Sequence, residues 1–103
     1  MNFTVVFTPQ AQDDLFHLYD FIADRSSPLR ALRYIDRIEH TCLSLRSLPE
    51  RGTLREDLRP GLRVMGFERR VLIAFRIAGD SVAILRNLYG GRSVELALAQ
   101  DED

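Results

Sequence analysis

A chain of 103 residues, 46% hydrophobic and 28% charged, holds enough sequence for one core and little beyond it. Its formal net charge of -1 and a pI near 6.1 exclude a protein whose whole surface grips nucleic acid. A single cysteine, Cys42, excludes an internal disulfide and a multi-cysteine zinc site, and the absence of lysine among the 14 cations excludes a lysine base or nucleophile.

Phe3, Val5 and Phe7 alternate with Thr4 and Val6, which predicts a half-buried strand stopped by Thr8-Pro9. Thr8 as N-cap and Pro9 as first helical residue open a helix of about four turns. Its apolar stripe is Ala11, Leu15, Leu18 and Ile22, with Asp13, Asp14, His17, Asp20 and Asp24 outside it. Ser26-Ser27-Pro28 repeats the same opening for a second helix, whose stripe runs Ala31, Ile35, Ile38, Cys42, Leu45 and which Pro49 ends. Residues 49–61, with two prolines and two glycines among charges, read as a loop. Three strands follow, Leu62 to Phe67, Arg70 to Ala78 and Val82 to Tyr89, the last two joined by a two-residue turn at Gly79-Asp80. Ser93 caps a short final helix to Gln100, and residues 101–103 are expected to fray.

The order β-α-α-β-β-β-α defines an α+β fold, a single domain over residues 1–103 with an antiparallel sheet packed on one face by an N-terminal helical hairpin. The other face is expected to stay open for a partner or substrate, shielded only by the tail. A two-residue turn at Gly79-Asp80 pairs Ile77 with Val82, Phe75 with Ile84, Ile73 with Arg86 and Val71 with Leu88 on the helix side. The open face then carries Arg70, Leu72, Ala74, Arg76, Ala83, Leu85, Asn87 and Tyr89. Arg86 falls among core-facing residues, where it either reaches a helix carboxylate or projects to a partner; a three-residue turn would exchange the faces.

All fourteen arginines lie between Arg25 and Arg92, alongside seven acids, while residues 1–24 and 93–103 carry only acids. The run Arg55, Arg59, Arg63, Arg69, Arg70, Arg76, Arg86 and Arg92 suits phosphates, an acidic protein segment, or plain solvation. His17 has Asp13 and Asp20 at helical spacing but no further histidine or cysteine beside it, so neither a metal site nor a cofactor is expected. Cys42 on a core stripe is not expected to be a catalytic thiol. Gly90-Gly91 makes a turn, or offers backbone N–H groups to an anion. The opening residues lack a secretory pattern and no apolar run nears the roughly 20 residues of a membrane span, so a cytoplasmic protein is expected.

The series Phe7-Thr8-Pro9-Gln10-Ala11, Leu15, Tyr19-Asp20-Phe21-Ile22-Ala23, Ala31 to Ile38, Leu48-Pro49-Glu50-Arg51-Gly52, Gly61-Leu62-Arg63 and Ile84 to Arg92 resembles, in order and spacing, the RelE/ParE superfamily of type II toxins, on its ParE-like branch. The resemblance implies a hairpin-on-sheet fold and a growth-arresting toxin neutralised by a cognate antitoxin from the same operon. It implies either poisoning of DNA gyrase, as in ParE-like members, or ribosome-dependent cleavage of messenger RNA, as in RelE-like members. A decayed toxin that only binds antitoxin is the third possibility. Cleavage would need a base, an acid and charge stabilisation; the candidates are Arg63, Arg76, Arg86 and Tyr89, and Tyr89 stands where many relatives carry histidine. Ser93 likewise stands where aspartate is frequent. Arginine stays protonated and makes a poor base, so a non-enzymatic gyrase inhibitor is the favoured expectation, with no stable direct DNA binding by the toxin alone. Arg70, Arg76, Asn87, Tyr89 and Arg92 are then the expected target contacts. An acidic amphipathic antitoxin segment is expected along the hairpin and the sheet, anchored by Arg33 and Arg37.

Overall fold

A computed structural model describes residues 2–101. Thr8 is extended, its Oγ1 accepts a hydrogen bond from the Ala11 N–H at 3.1 Å, and Pro9 opens helix α1 (Pro9–Arg25). Ser27 caps helix α2 (Pro28–Leu43) in the same way, through the Arg30 N–H. Both starts follow from a short oxygen-bearing side chain that satisfies an otherwise free amide, followed by a residue with no amide to satisfy. Helix α2 passes into a 3-10 turn, Ser44–Arg46, and so ends before Pro49 is reached.

The sheet has five strands in the order β1-β5-β4-β3-β2, with β1 Thr4–Phe7, β2 Thr53–Leu54, β3 Leu62–Phe67, β4 Val71–Ala78 and β5 Ser81–Tyr89. Strands β2 to β5 pair antiparallel, as expected, whereas β1 joins β5 in parallel and makes the sheet mixed. Strand β2 lies inside the stretch read as a loop; two residues are too short to show a period. Gly52 just before it has φ +76°, and a Cβ there would run into the Val64 carbonyl of β3. The close approach of the two backbones therefore requires glycine.

On one face the hairpin stripes of α1 and α2 bury Phe75, Ile73, Val82 and Ile84. The other face is not open. Helix α3 (Val94–Gln100), capped by Ser93, lays Val94, Ala97 and Leu98 over Leu62, Ala74 and Leu88, and all six are buried. The spacing of those three residues puts them on one side of a seven-residue helix, so the tail is a lid on a second core.

The β4–β5 pairing begins in the expected register, Ile77 with Val82 and Phe75 with Ile84, and then shifts: Ala74 faces Arg86, Ile73 faces Asn87 and Val71 faces Tyr89. Leu85 is the extra residue of a β-bulge. From there each side chain of β5 changes face. Asn87 and Tyr89, expected with Arg70 and Arg76 on the far side, turn toward the hairpin; Leu88 turns to α3. Arg86 also leaves the Ile73 side.

The bulge sits where β1 runs out. Thr8 donates its N–H to the Ile84 carbonyl and its hydroxyl to the Leu85 carbonyl, each at 3.0 Å, so one residue caps α1 and holds the bulge. One turn further along α1, Asp14 replaces the missing strand partner. Its carboxylate accepts the Asn87 N–H, Arg86 Nε and Arg86 Nη2, each at 2.8 Å. Asp14 is 6% and Arg86 7% exposed, which corrects the solvated position expected for Asp14. For Arg86 the helix carboxylate is the outcome of the two left open. Arg86 Nη1 continues to the Ala97 carbonyl at 3.3 Å and the Asp101 carboxylate at 3.4 Å, tying α3 to α1. Asp101, the first residue of the expected frayed end, is thus held; Glu102 and Asp103 lie outside the described residues.

Removing one side of a buried ion pair leaves the other charge desolvated and alone. Asp14→Ala is expected to destabilise the fold by about 3–5 kcal/mol in urea unfolding, and Asp14→Asn by less, because its amide oxygen still accepts from Asn87. Equal stability of Asp14→Ala and the parent would refute this role.

Candidate partner-binding groove

Helix α2 carries Arg30, Arg33 and Arg37 at i, i+3 and i+7, one face of the helix beside the core stripe. That face looks onto the end of the sheet where β4 begins and β5 finishes. Between them runs a groove of about 670 Å³ lined by Arg30, Arg33, Tyr34, Arg37, Arg70 and Tyr89, with Ile22 and Ser26 of α1 completing it. None of these lining residues is acidic. The four guanidinium groups are surface-exposed.

The aromatic residues are placed by packing. Tyr34 meets Phe67 edge-on at 5.7 Å between ring centroids, and Tyr89 meets Phe21 at 5.7 Å and 55°. The bulge at Leu85 is what brings Tyr89 to this side. Arg37 lies 5.1 Å from the Tyr34 ring centroid and forms a two-pronged pair with Glu68, Nε and Nη2 each donating at 3.0 Å. That bond raises the Arg37 pKa and lowers that of Glu68. The Tyr34 hydroxyl is buried without a hydrogen-bond partner among the described residues. Burial chiefly, then the charges of Glu68 and Tyr89, pushes its pKa up, against the opposing effect of Arg37 and Arg70.

Glu68 stands in an unusual turn. It has φ +48° and Arg69 φ +61°, with the Arg70 N–H donating to the Phe67 carbonyl at 3.1 Å. Left-handed conformation at both central residues is the hairpin turn that ordinarily recruits asparagine or glycine.

Arg70 also lines a second, smaller hollow of about 290 Å³ on the α3 side of the same sheet end, with Arg69, Arg92 and Gly91. Gly90 is engaged in the turn, its N–H donating to the Arg70 carbonyl. Among the expected contacts, then, Arg33, Arg37, Arg70 and Tyr89 come together, with Arg92 in the neighbouring hollow. Asn87 does not join them: it is 2% exposed and donates to the Ala11 carbonyl. Arg76 lies at the far end of β4, opposite Leu62.

The four residues proposed for RNA cleavage are not assembled. Arg63 and Arg76 point to opposite faces of the sheet, since Arg63 pairs with Phe75. Arg63 reaches the Arg51 carbonyl at 3.4 Å, Arg86 is engaged by Asp14, and Tyr89 is on the hairpin side. Both histidines are exposed on helices, His40 with its Nδ1 2.9 Å from the Asp36 carbonyl. Among the described residues no three histidine, cysteine or acidic side chains cluster to hold a metal, and no helix is long and apolar enough to cross a membrane. Arg30, Tyr34 and Glu68 had not been singled out from the sequence. Arg30 and Tyr34 are legible from their helical spacing to Arg33 and Arg37; Glu68 depends on a turn that no glycine announces.

A helical hairpin on a small mixed sheet is also the architecture of a known class. The fold matches a solved chain titled chromosomal ParDE TA system from P. aeruginosa with a TM-score of 0.75 and 27% identity, covering 84% of this chain and 95% of that one. Toxin ParE3 of Caulobacter vibrioides is 29% identical over 96 residues, 93% of this chain and 95% of the relative. The family model for the ParE toxin of type II toxin-antitoxin system, parDE, matches residues 5–93. The chain belongs to the ParE family of type II toxins.

Cys42 is fully buried in the hairpin core, its thiol 3.8 Å from Asn87 Oδ1. Burial, and then the charge of Glu39, pushes its pKa up to about 12. The thiolate is the reactive form, so the folded protein is expected to resist a thiol reagent at pH 8 and to react fully once unfolded in urea. Because the folded pKa is raised from 9.0, this group's contribution to stability is intact below pH 9 and is lost as the pH climbs toward 12. Rapid labelling of native protein at pH 8 would contradict this environment.

Proposed function

We propose that this ParE-family toxin arrests growth by binding DNA gyrase through the arginine-lined end of its sheet, and that its antitoxin neutralises it by covering the same groove. The observation that carries the reading is the meeting of Arg33 and Arg37, expected for the antitoxin, with Arg70 and Tyr89, expected for the target, in one groove. A surface of this size cannot serve two protein partners at once, so occupancy by one excludes the other.

The chemistry supports binding over catalysis. Four permanently charged guanidinium groups supply long-range attraction and two-pronged hydrogen bonds, but none takes up a proton at neutral pH. Among the described residues, the only other ionisable side chains lining the groove are Tyr34 and Tyr89. On this reading the toxin acts in the cytoplasm, where gyrase works, without a cofactor.

Purified toxin is expected to inhibit supercoiling by gyrase and to make cleavage complexes accumulate. Arg70→Glu is expected to weaken gyrase and antitoxin binding together, each by about tenfold or more. Untouched supercoiling with no accumulated complexes would end the gyrase reading. A variant that loses antitoxin yet still poisons gyrase would end the shared groove, and cuts in ribosome-bound message would install RNA cleavage instead.

A further inference from the structure

At the rim of the groove, among the described residues, a carboxylate contact to Arg37 and an unused donor on Tyr34 are neighbours. Arg37 gives both prongs of its guanidinium to Glu68, the geometry with which an arginine receives any carboxylate. Both members are about half exposed, 52% and 45%, so the pair is readily exchanged. Glu68 reaches it from a turn held in left-handed conformation at two residues other than glycine, a cost the turn's own sequence does nothing to reduce. Beside it the Tyr34 hydroxyl has no acceptor among the described residues, although a buried hydroxyl ordinarily finds one.

We propose that Arg37, Tyr34 and Arg70 form a seat for an acidic side chain of the protein that fills the groove, and that Glu68 holds this seat in the free toxin as an internal competitor. An incoming aspartate or glutamate takes over the two Arg37 hydrogen bonds, so the exchange is nearly even at that contact. It gains because Tyr34 then donates to a charged acceptor. A carboxylate is preferred to a phosphate because Arg37 already receives one, from Glu68, with both prongs of its guanidinium. The seat rests on reading the groove as the antitoxin's surface.

The test uses full-length toxin and a labelled octaglutamate peptide, with an octathymidylate as the phosphate control. Glu68→Gln should bind octaglutamate roughly threefold tighter, the gain from removing an exposed competing pair. Tyr34→Phe should bind it about tenfold more weakly, the effect of losing a hydrogen bond to a charged group. Its melting temperature should stay the same or rise, since the hydroxyl has no bond to lose in the free protein; a merely structural tyrosine would lower it. Unchanged or weaker binding by Glu68→Gln, or parent-like binding by Tyr34→Phe, overturns the seat. A larger gain for octathymidylate than for octaglutamate overturns the choice of a carboxylate. Arg33→Glu assayed against the antitoxin tests the groove separately: parent-like affinity there removes the partner, while the octaglutamate series still decides the seat.

Discussion

Everything near the working end of this protein depends on how one edge of β5 is closed. Strand β1 pairs with β5 only as far as Ile84, and beyond that point the chain has already turned into α1. An open β-edge with buried amides is costly, because each unpaired N–H loses its water without a replacement. Asp14 supplies the replacement from a helix. Its carboxylate takes the Asn87 N–H that a strand carbonyl would have taken, and takes Arg86 as counter-ion in the same stroke. Thr8 treats the Leu85 carbonyl similarly. A helix lies farther from a strand than another strand does, so the longer reach of an aspartate side chain suits the gap better than backbone.

That closure has a geometric consequence. The extra residue at Leu85 reverses the alternation of β5, and the reversal decides which side of the sheet Tyr89 occupies. With an uninterrupted ladder Tyr89 would face α3 and Arg86 would enter the hydrophobic hairpin core. With the bulge, Tyr89 joins Tyr34 and the α2 arginines, and Arg86 becomes the tie between α1 and α3. The arginine groove and the covered second core therefore follow from one irregularity, held by Thr8 and Asp14.

The parts legible in the sequence are those whose cause is local. Thr8-Pro9, Ser27-Pro28 and Ser93 announce helix starts because a cap and a proline act on their own amides. The stripes of α1 and α2 are periodic enough to show which face is buried, and Arg33 with Arg37 stands out from spacing alone. The bulge was not legible, since Leu85 continues the apolar run of Ala83 and Ile84 and no glycine or proline marks it. Asp14 looked like one more acid on a polar helix face; its burial is imposed by the end of β1, a contact between residues more than seventy positions apart. For the same reason the helix that Ser93 announces gives no sign in the sequence that it covers a core, because Val94, Ala97 and Leu98 show their purpose only once Leu62, Ala74 and Leu88 are known to share a face. The groove assembled half from legible pieces and half from this hidden register.

Where the chain departs from the ordinary rules of folding also separates scaffold from surface. At the far end of the sheet, turns and strands obey them: Gly79 takes positive φ in a hairpin turn, and Gly52 stands where no Cβ fits. At the working end several departures coincide. Four arginines with like charge share one groove, two non-glycine residues hold left-handed backbone, and a buried hydroxyl goes without an acceptor. Each costs the free protein stability, offset in part by the Arg37–Glu68 pair and by the edge-on packing of Tyr34 on Phe67. A partner bearing carboxylates relieves the repulsion and the missing acceptor together, and by mass action anything that binds only the folded toxin stabilises it in proportion to its affinity. Natural chains tolerate such local conflicts chiefly where function compensates them, and their concentration at one end of the sheet is the physical ground for reading that end as the surface and the regular far end as its scaffold.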